Sequence, residues 1–336
     1  MNRITSVSSA EPGIPASRLD YSISRRRFLS QSALVTAAVS LRPPAARAAA
    51  GEKPARTSLP SGQIGNLTLS RLISGGNLIS GWAHSRDLHY VPSLVRAYNT
   101  PTKVLDTLEL MESLGINAII ADPRKNVMEV FARFWKERGG KMQWIAEGHP
   151  GLDDWKSNIS QSIDFGAKAV YVQGVIGDQW LNAGRVDLLG QCVAFIKSQG
   201  VPGGIGAHKL EVVMEAEKRK FGADFYVKTL HQDRYWSRNR TPGEPDVVES
   251  VTDNYWDVDP DRTIQFMSGV QKPWIAFKVL AAGAIRPESG FRHALENGAD
   301  FLCVGMFDFQ VEANVQLVQA LLGKNAIRNR ARGWMA

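Results

Sequence analysis

The chain has 336 residues, 40 of them Lys or Arg against 33 Asp or Glu, for a formal charge of +7. Seven of the arginines lie in residues 1–48, where Glu11 and Asp20 are the only acids, so the rest of the chain is close to neutral and carries no basic footprint for nucleic acid. Two cysteines, Cys192 and Cys303, make no disulfide framework, and a folded chain of this length must be held by its core.

In chain order, the first feature is Ser24-Arg25-Arg26-Arg27-Phe28-Leu29-Ser30. An apolar run to Val39, the breaker pair Pro43-Pro44 and the small-residue stretch Ala46-Arg47-Ala48 follow it. This segment resembles the twin-arginine export signal, S/T-R-R-x-F-L-K, with Ser30 where Lys is common. The resemblance implies a leader over residues 1–48, the twin-arginine translocase as partner, cleavage before Ala49, and a mature protein in the periplasm or cell envelope. The apolar run is shorter than the roughly 20 residues a bilayer span requires, so no stable membrane anchor is expected after cleavage. Residues 49–66 form a linker or N-terminal segment, 67–325 one domain, and 326–336 a basic C-terminal tail.

Within the domain one phrase recurs: Gly115-Ile-Asn-Ala-Ile-Ile-Ala-Asp122, Gly166-Ala-Lys-Ala-Val-Tyr-Val-Gln173, Gly222-Ala-Asp-Phe-Tyr-Val-Lys228 and Gly298-Ala-Asp-Phe-Leu-Cys-Val-Gly305. Each glycine stands where an amphipathic helix ends, and the short apolar run behind it has the pattern of a strand buried on both faces. The helices include 104–114, 155–165, 188–198 and 291–297. Eight strands are expected, at 69–74, 118–121, 142–146, 169–172, 203–207, 225–227, 274–277 and 301–304. Strict alternation with helices implies parallel pairing through right-handed crossovers, and eight such units close into a single-domain (β/α)₈ TIM barrel. An open doubly wound sheet is the alternative, but Gly75-Gly76-Asn77 lacks the G-x-G-x-x-G spacing it would want.

In such a barrel the working residues gather at the C-terminal strand ends. Asn77, His84, Arg86 and His89 follow the first strand, Asp122 ends the second, and Glu147 and His149 end the third. Gln173 ends the fourth, His208 the fifth, Lys228 and His231 the sixth, Lys278 the seventh and Asp308 the eighth. Five of the six histidines fall on this rim, and His293 alone falls in a helix. The sixth connection is long, from Gln232 to Arg262, and carries Tyr235, Trp236, Tyr255 and Trp256 among charged groups. Its aromatics suit stacking on a sugar-like ring, or they pin the loop to the barrel.

Two enzyme families share parts of this pattern. Gly222–Thr229 and Phe277-Lys278-Val-Leu-Ala-Ala-Gly283-Ala-Ile285-Arg286 resemble the deoxyribose-phosphate group of class I aldolases. By that resemblance Lys228 is the Schiff-base nucleophile and Lys278 the neighbour that depresses its pKa. The sixth-strand phrase has one residue more between Asp224 and Lys228 than the family usually has, and one residue reverses the face of a strand. Ile73-Ser-Gly-Gly-Asn-Leu, with Leu114-Gly-Ile-Asn-Ala, resembles the aldo-keto reductases. That family uses an Asp, a Tyr, a Lys and a His, and here no Tyr follows Asp122-Pro123 at the expected distance. Independently, Glu147, His149, His208 and His231 are residue types that hold a divalent metal, with Asp122 or Asp233 as a further ligand.

The expected activity is acid–base or carbonyl chemistry, of lyase, aldolase or isomerase type, on a small polar, sugar-like compound. Lys228, Lys278, His208, His231 and Glu147 are the catalytic candidates. Asn77, His84, Arg86, Asp122, Gln173, Tyr235, Trp236 and Asp308 are the substrate-binding ones. A metal-dependent hydrolase, a nicotinamide-dependent reductase and a non-catalytic binding barrel are the other classes this residue set allows.

Overall fold

The computed structural model describes residues 58–85, 88–235, 257–323, 327 and 329–336. Strands β1 (Ser61–Ile64) and β2 (Leu67–Ser70) pair antiparallel as a hairpin, turned at Gly65 with φ +58°. Eight further strands follow: β3 (Leu72–Gly75), β4 (Ala118–Ala121), β5 (Gln143–Gly148), β6 (Ala169–Val172), β7 (Gly203–Ala207), β8 (Phe225–Thr229), β9 (Trp274–Phe277) and β10 (Phe301–Val304). They close in the order β10-β3-β4-β5-β6-β7-β8-β9, every neighbouring pair parallel. The expected (β/α)₈ barrel is what the chain forms.

The first expected strand, 69–74, is in fact two. It breaks at Arg71, so Leu67–Ser70 belongs to the hairpin and Leu72–Gly75 to the barrel. Arg71 is the reason: its buried guanidinium donates to the Asp300 carbonyl at 3.0 Å and lies over the rings of Phe301 and Trp334. A charged group anchored there cannot continue an alternating strand.

The four recurring glycines, Gly115, Gly166, Gly222 and Gly298, have φ of +93°, +124°, +73° and +101°. A side chain would be strained at each of these helix exits, which is why the phrase repeats.

Alternation sorts the strand side chains into two cores. Ile73, Ile120, Ile145, Tyr171, Phe225, Val227, Ile275 and Phe301 fill the barrel interior, together with Ile64, Leu67 and Leu69 of the hairpin, which closes its N-terminal end. Leu72, Ile119, Trp144, Val170, Tyr226, Trp274 and Leu302 pack outward against the helices. At the closed end the chain's last residues fold back: Arg332 is buried, donates to the Val270 carbonyl and pairs with Asp300. Residues 329–336 therefore pack as part of the domain's floor. Among the described residues no helix is long and apolar enough to cross a membrane.

Candidate active site

The open end of the barrel carries two groups of polar side chains. The first spans β7, β9 and the helix after β6. His208 follows β7, and its Nδ1 lies 2.8 Å from Asp178 Oδ2. Asp178 belongs to the helix Gly174–Asn182 and is fully buried, and it also accepts the backbone N–H groups of His208 and Lys209. An ionised carboxylate only accepts, so Nδ1 carries the hydrogen and Nε2 holds the lone pair. Burial pulls the His208 imidazole below its ordinary value; Asp178 opposes this, and Lys278 and Lys228 add to it. Gly174 makes room for the ring, since a Cβ there would stand 3.1 Å from His208 Cε1.

Lys278 follows β9, one residue beyond Phe277, whose ring centre is 5.3 Å from that of His208. Its Nζ lies 2.8 Å from His84 Nε2, which reaches across from the loop after β3. The backbone here is unusual: Lys278, Ala281 and Ala282 have φ of +57°, +45° and +54°. Left-handed conformations at residues with a Cβ cost ~1–2 kcal/mol each. Strain of this kind is kept where the surrounding structure needs a side chain held in one place.

The second group lies at the ends of β4, β5 and β6. Glu147 occupies an inward position of β5, two residues beyond the interior Ile145, with Tyr171 and Gln173 beside it. Burial pushes its carboxyl up, but His149, Gln173 and Tyr171 outweigh that and leave it below its ordinary value. Asp122, just past β4, is buried and paired with Arg124 at 2.5 Å. Arg124 in turn lies over the Trp82 ring. Burial raises the Asp122 carboxyl, with Arg124 opposing and Glu147 reinforcing the shift. Cys303, partly buried beside the interior core, is pushed up to about 12 by burial and by Glu147, so it stays a thiol.

Other candidates from the sequence lie elsewhere. Lys228 shares its face of β8 with Tyr226, opposite the interior Phe225 and Val227, so the extra residue in its phrase turns it out of the barrel. Its fully buried Nζ donates to Thr229 Oγ1 at 2.7 Å and lies 3.8 Å from Asp257. Burial lowers this amine, with Asp257 the main opposing charge. His231 is buried and bonded to backbone on both nitrogens, to the Gln232 carbonyl at 3.1 Å and from the Asp257 N–H at 3.3 Å, which ties β8 to the far end of the long connection. Tyr235 stands edge-on to it at 5.7 Å.

Asp308 accepts Tyr98 and Lys103 at 2.6 and 2.7 Å, and these bonds hold it below its ordinary value. Asn77 begins the short helix Asn77–Ser80 and is exposed. Arg86, Trp236 and most of the long connection lie outside the described residues, as does the leader.

The four suggested metal ligands do not form one set. Glu147 and His149 are neighbours, His208 is tied to Asp178, and His231 is tied to backbone. Among the described residues no three His, Cys, Asp or Glu side chains converge as metal ligands would. Asp178, Tyr171 and Arg124 complete the two groups; the aldolase resemblance points to Asp178 as a carboxylate beyond Gln173, and sequence pattern singles out neither Tyr171 nor Arg124. Tyr171 could have been found from its inward parity, and Arg124 from its place two residues past Asp122.

No protein-family model and no curated protein sequence matches this chain. Similar solved structures include a Pseudomonas aeruginosa protein named for the aldo-keto reductases, with TM-score 0.52 and 17% identity over 78% of this chain and 96% of that one. Others are an aldolase designated QR15 (TM-score 0.43, 14% identity, covering 67% and 92%) and a P. aeruginosa protein named for dihydrodipicolinate synthetase (0.43, 12%, covering 68% and 72%). At these identities the likeness is one of fold.

Proposed function

We propose that this chain is an exported barrel enzyme that moves a proton beside the carbonyl group of a small, polar, sugar-like compound, in a reaction of isomerase or lyase type. The observation that carries this reading is the pairing of His208 with the buried Asp178 at the barrel mouth. Asp178 fixes the tautomer that leaves Nε2 as a base, and burial keeps the ring neutral at neutral pH, ready to accept a proton. The proton of the carbon next to the carbonyl passes to Nε2, and its electron pair moves into the carbonyl, leaving an enediolate oxygen. Lys278, donating to His84 in the resting site, is the cation that receives this oxygen. Return of the proton to the former carbonyl carbon, with the hydroxyl proton passing from the neighbouring oxygen to the enediolate oxygen, completes an isomerisation; loss of a leaving group from the enediolate completes a lyase reaction. Export rests on Arg25-Arg26 and the apolar run behind them, with the twin-arginine translocase as the partner and the periplasm or envelope as the destination.

The chemical reading is tested in D₂O with a panel of unphosphorylated aldoses and ketoses, following deuterium at the carbon beside the carbonyl by NMR. Incorporation is expected with the wild type and not with His208→Gln. A panel that exchanges equally with both proteins overturns the assignment, and one that exchanges with neither removes the reading. Export is tested by replacing Arg25 and Arg26 with Lys, which keeps the charge and removes the guanidinium fork. The precursor should then stay in the cytoplasm, and wild-type recovery from the periplasm would sink the leader assignment.

A further inference from the structure

The second polar group at the mouth takes no part in the proton transfer, and two of its atoms are unanswered. Asp122 Oδ1 and His149 Nε2 are shielded from solvent and have no hydrogen-bond partner among the described residues. His149 Nε2 stands 3.8 Å from Glu147 Oε1, beyond hydrogen-bond reach. Around them most polar contacts are already taken. Arg124 holds the other Asp122 oxygen, and the His149 backbone N–H donates to Asn158 at 2.7 Å. Buried polar atoms are normally paired, so these two call for a partner that enters the site.

The chemistry of that partner follows from what is missing. Asp122 already has a counter-charge in Arg124, so it lacks a hydrogen-bond donor and has no need of a second cation. An anionic group would meet Asp122 and Glu147 together, which disfavours phosphate and carboxylate. A neutral hydroxyl meets both demands. It donates to Asp122 Oδ1, and a neighbouring hydroxyl exchanges a hydrogen bond with His149 Nε2.

We infer that Asp122, His149 and Glu147 form a hydroxyl-binding subsite that takes the neutral, unphosphorylated polyol end of the substrate while its carbonyl end lies at Lys278 and His208. This rests on the proton-transfer reading for the orientation of the substrate, but the subsite itself needs no reaction to be detected.

A pentitol is therefore the probe, because it has the hydroxyls and no carbonyl. Calorimetric titration of the full mature protein should show pentitol binding. Asp122→Ala and His149→Ala should each weaken it at least tenfold, with thermal melts showing that both variants remain folded. His208→Gln should bind pentitol within twofold of wild type while losing deuterium exchange. A pentitol phosphate should bind more weakly than the pentitol.

Absence of pentitol binding, or binding unaffected by both alanine variants, overturns the subsite, even where exchange on sugars persists. Tighter binding of the phosphate, or of an amino-pentitol, overturns the neutral-hydroxyl assignment. Pentitol binding that depends on Asp122 and His149, with no exchange on any sugar, upholds the subsite and removes the proton-transfer reading alone.

Discussion

At the closed end of the barrel, Asp300 accepts Arg332 and the Trp274 N–H on one oxygen and the Met335 N–H on the other. At the open end, Asp122 has Arg124 on one oxygen and, among the described residues, no partner on the other. Both carboxylates are buried and both face arginine. One is built into a floor that joins β9, β10 and the chain's last residues; the other ends a strand at a mouth. A buried charge with partners on every side holds a fold in register, whereas one left incomplete is poised for a ligand. The difference separates the end of this molecule that keeps it folded from the end that binds.

The two ends should differ most in their response to change at His208. His208→Gln should lower deuterium exchange by about 10²–10⁴, the usual contribution of a general base, and leave the melting temperature nearly unchanged. A large loss of stability would place His208 among the structural residues. Asp300→Ala is the mirror experiment. It leaves Arg332 buried without its counter-charge, and such losses cost about 3–5 kcal/mol. Urea unfolding should show that loss while the exchange rate below the transition is kept. A rate that fell as far as in His208→Gln would erase the distinction between the two ends.

His231→Ala should resemble Asp300→Ala on a smaller scale. Removing it strands the Asp257 N–H, at a cost of about 1–3 kcal/mol. Exchange should fall less than tenfold, and a loss of 10² or more would return His231 to the catalytic set. Gly174→Ala presses a methyl against the His208 ring and should shift the imidazole, overpacking by about 1–3 kcal/mol while lowering exchange. An unchanged rate would show that the ring has room to spare.

The mildest effect is that of pH. Because the folded His208 value lies below the ordinary 6.5, the unfolded chain takes up the proton first. This residue's contribution to stability is complete above about pH 6.5 and declines as pH falls from there toward the folded value. The same depression sets the acid limb of the exchange rate below pH 6.5; a midpoint above 6.5 would exclude His208 as the base.

Much of the fold is local in origin, and so it is legible in the sequence. A helix exit that demands positive φ, followed by a short doubly buried strand, recurs at Gly115, Gly166, Gly222 and Gly298, and that phrase with its strict alternation implies a barrel. Strand ends then locate the mouth, which is why His208, Glu147, Asp122 and Lys278 could be placed there beforehand. The outward face of Lys228 was also present, as a spacing of one residue, because the period of a strand is two.

The pairings belong to the tertiary structure alone. His208 and Asp178 are 30 residues apart, and Lys278 and His84 are 194 apart; no spacing rule links them. They meet because barrel closure leaves only β10 between β9 and β3, and because the helix after β6 packs against β7. Which polar atoms end with partners and which without is likewise decided by packing. His149 and His231 both follow strands, but the backbone of residue 257 happens to reach only the second. Sequence determines which residues arrive at the mouth of this barrel, through periodicities of a few residues. Contacts between distant segments decide what each can do there, because hydrogen-bond partners are set by position in space.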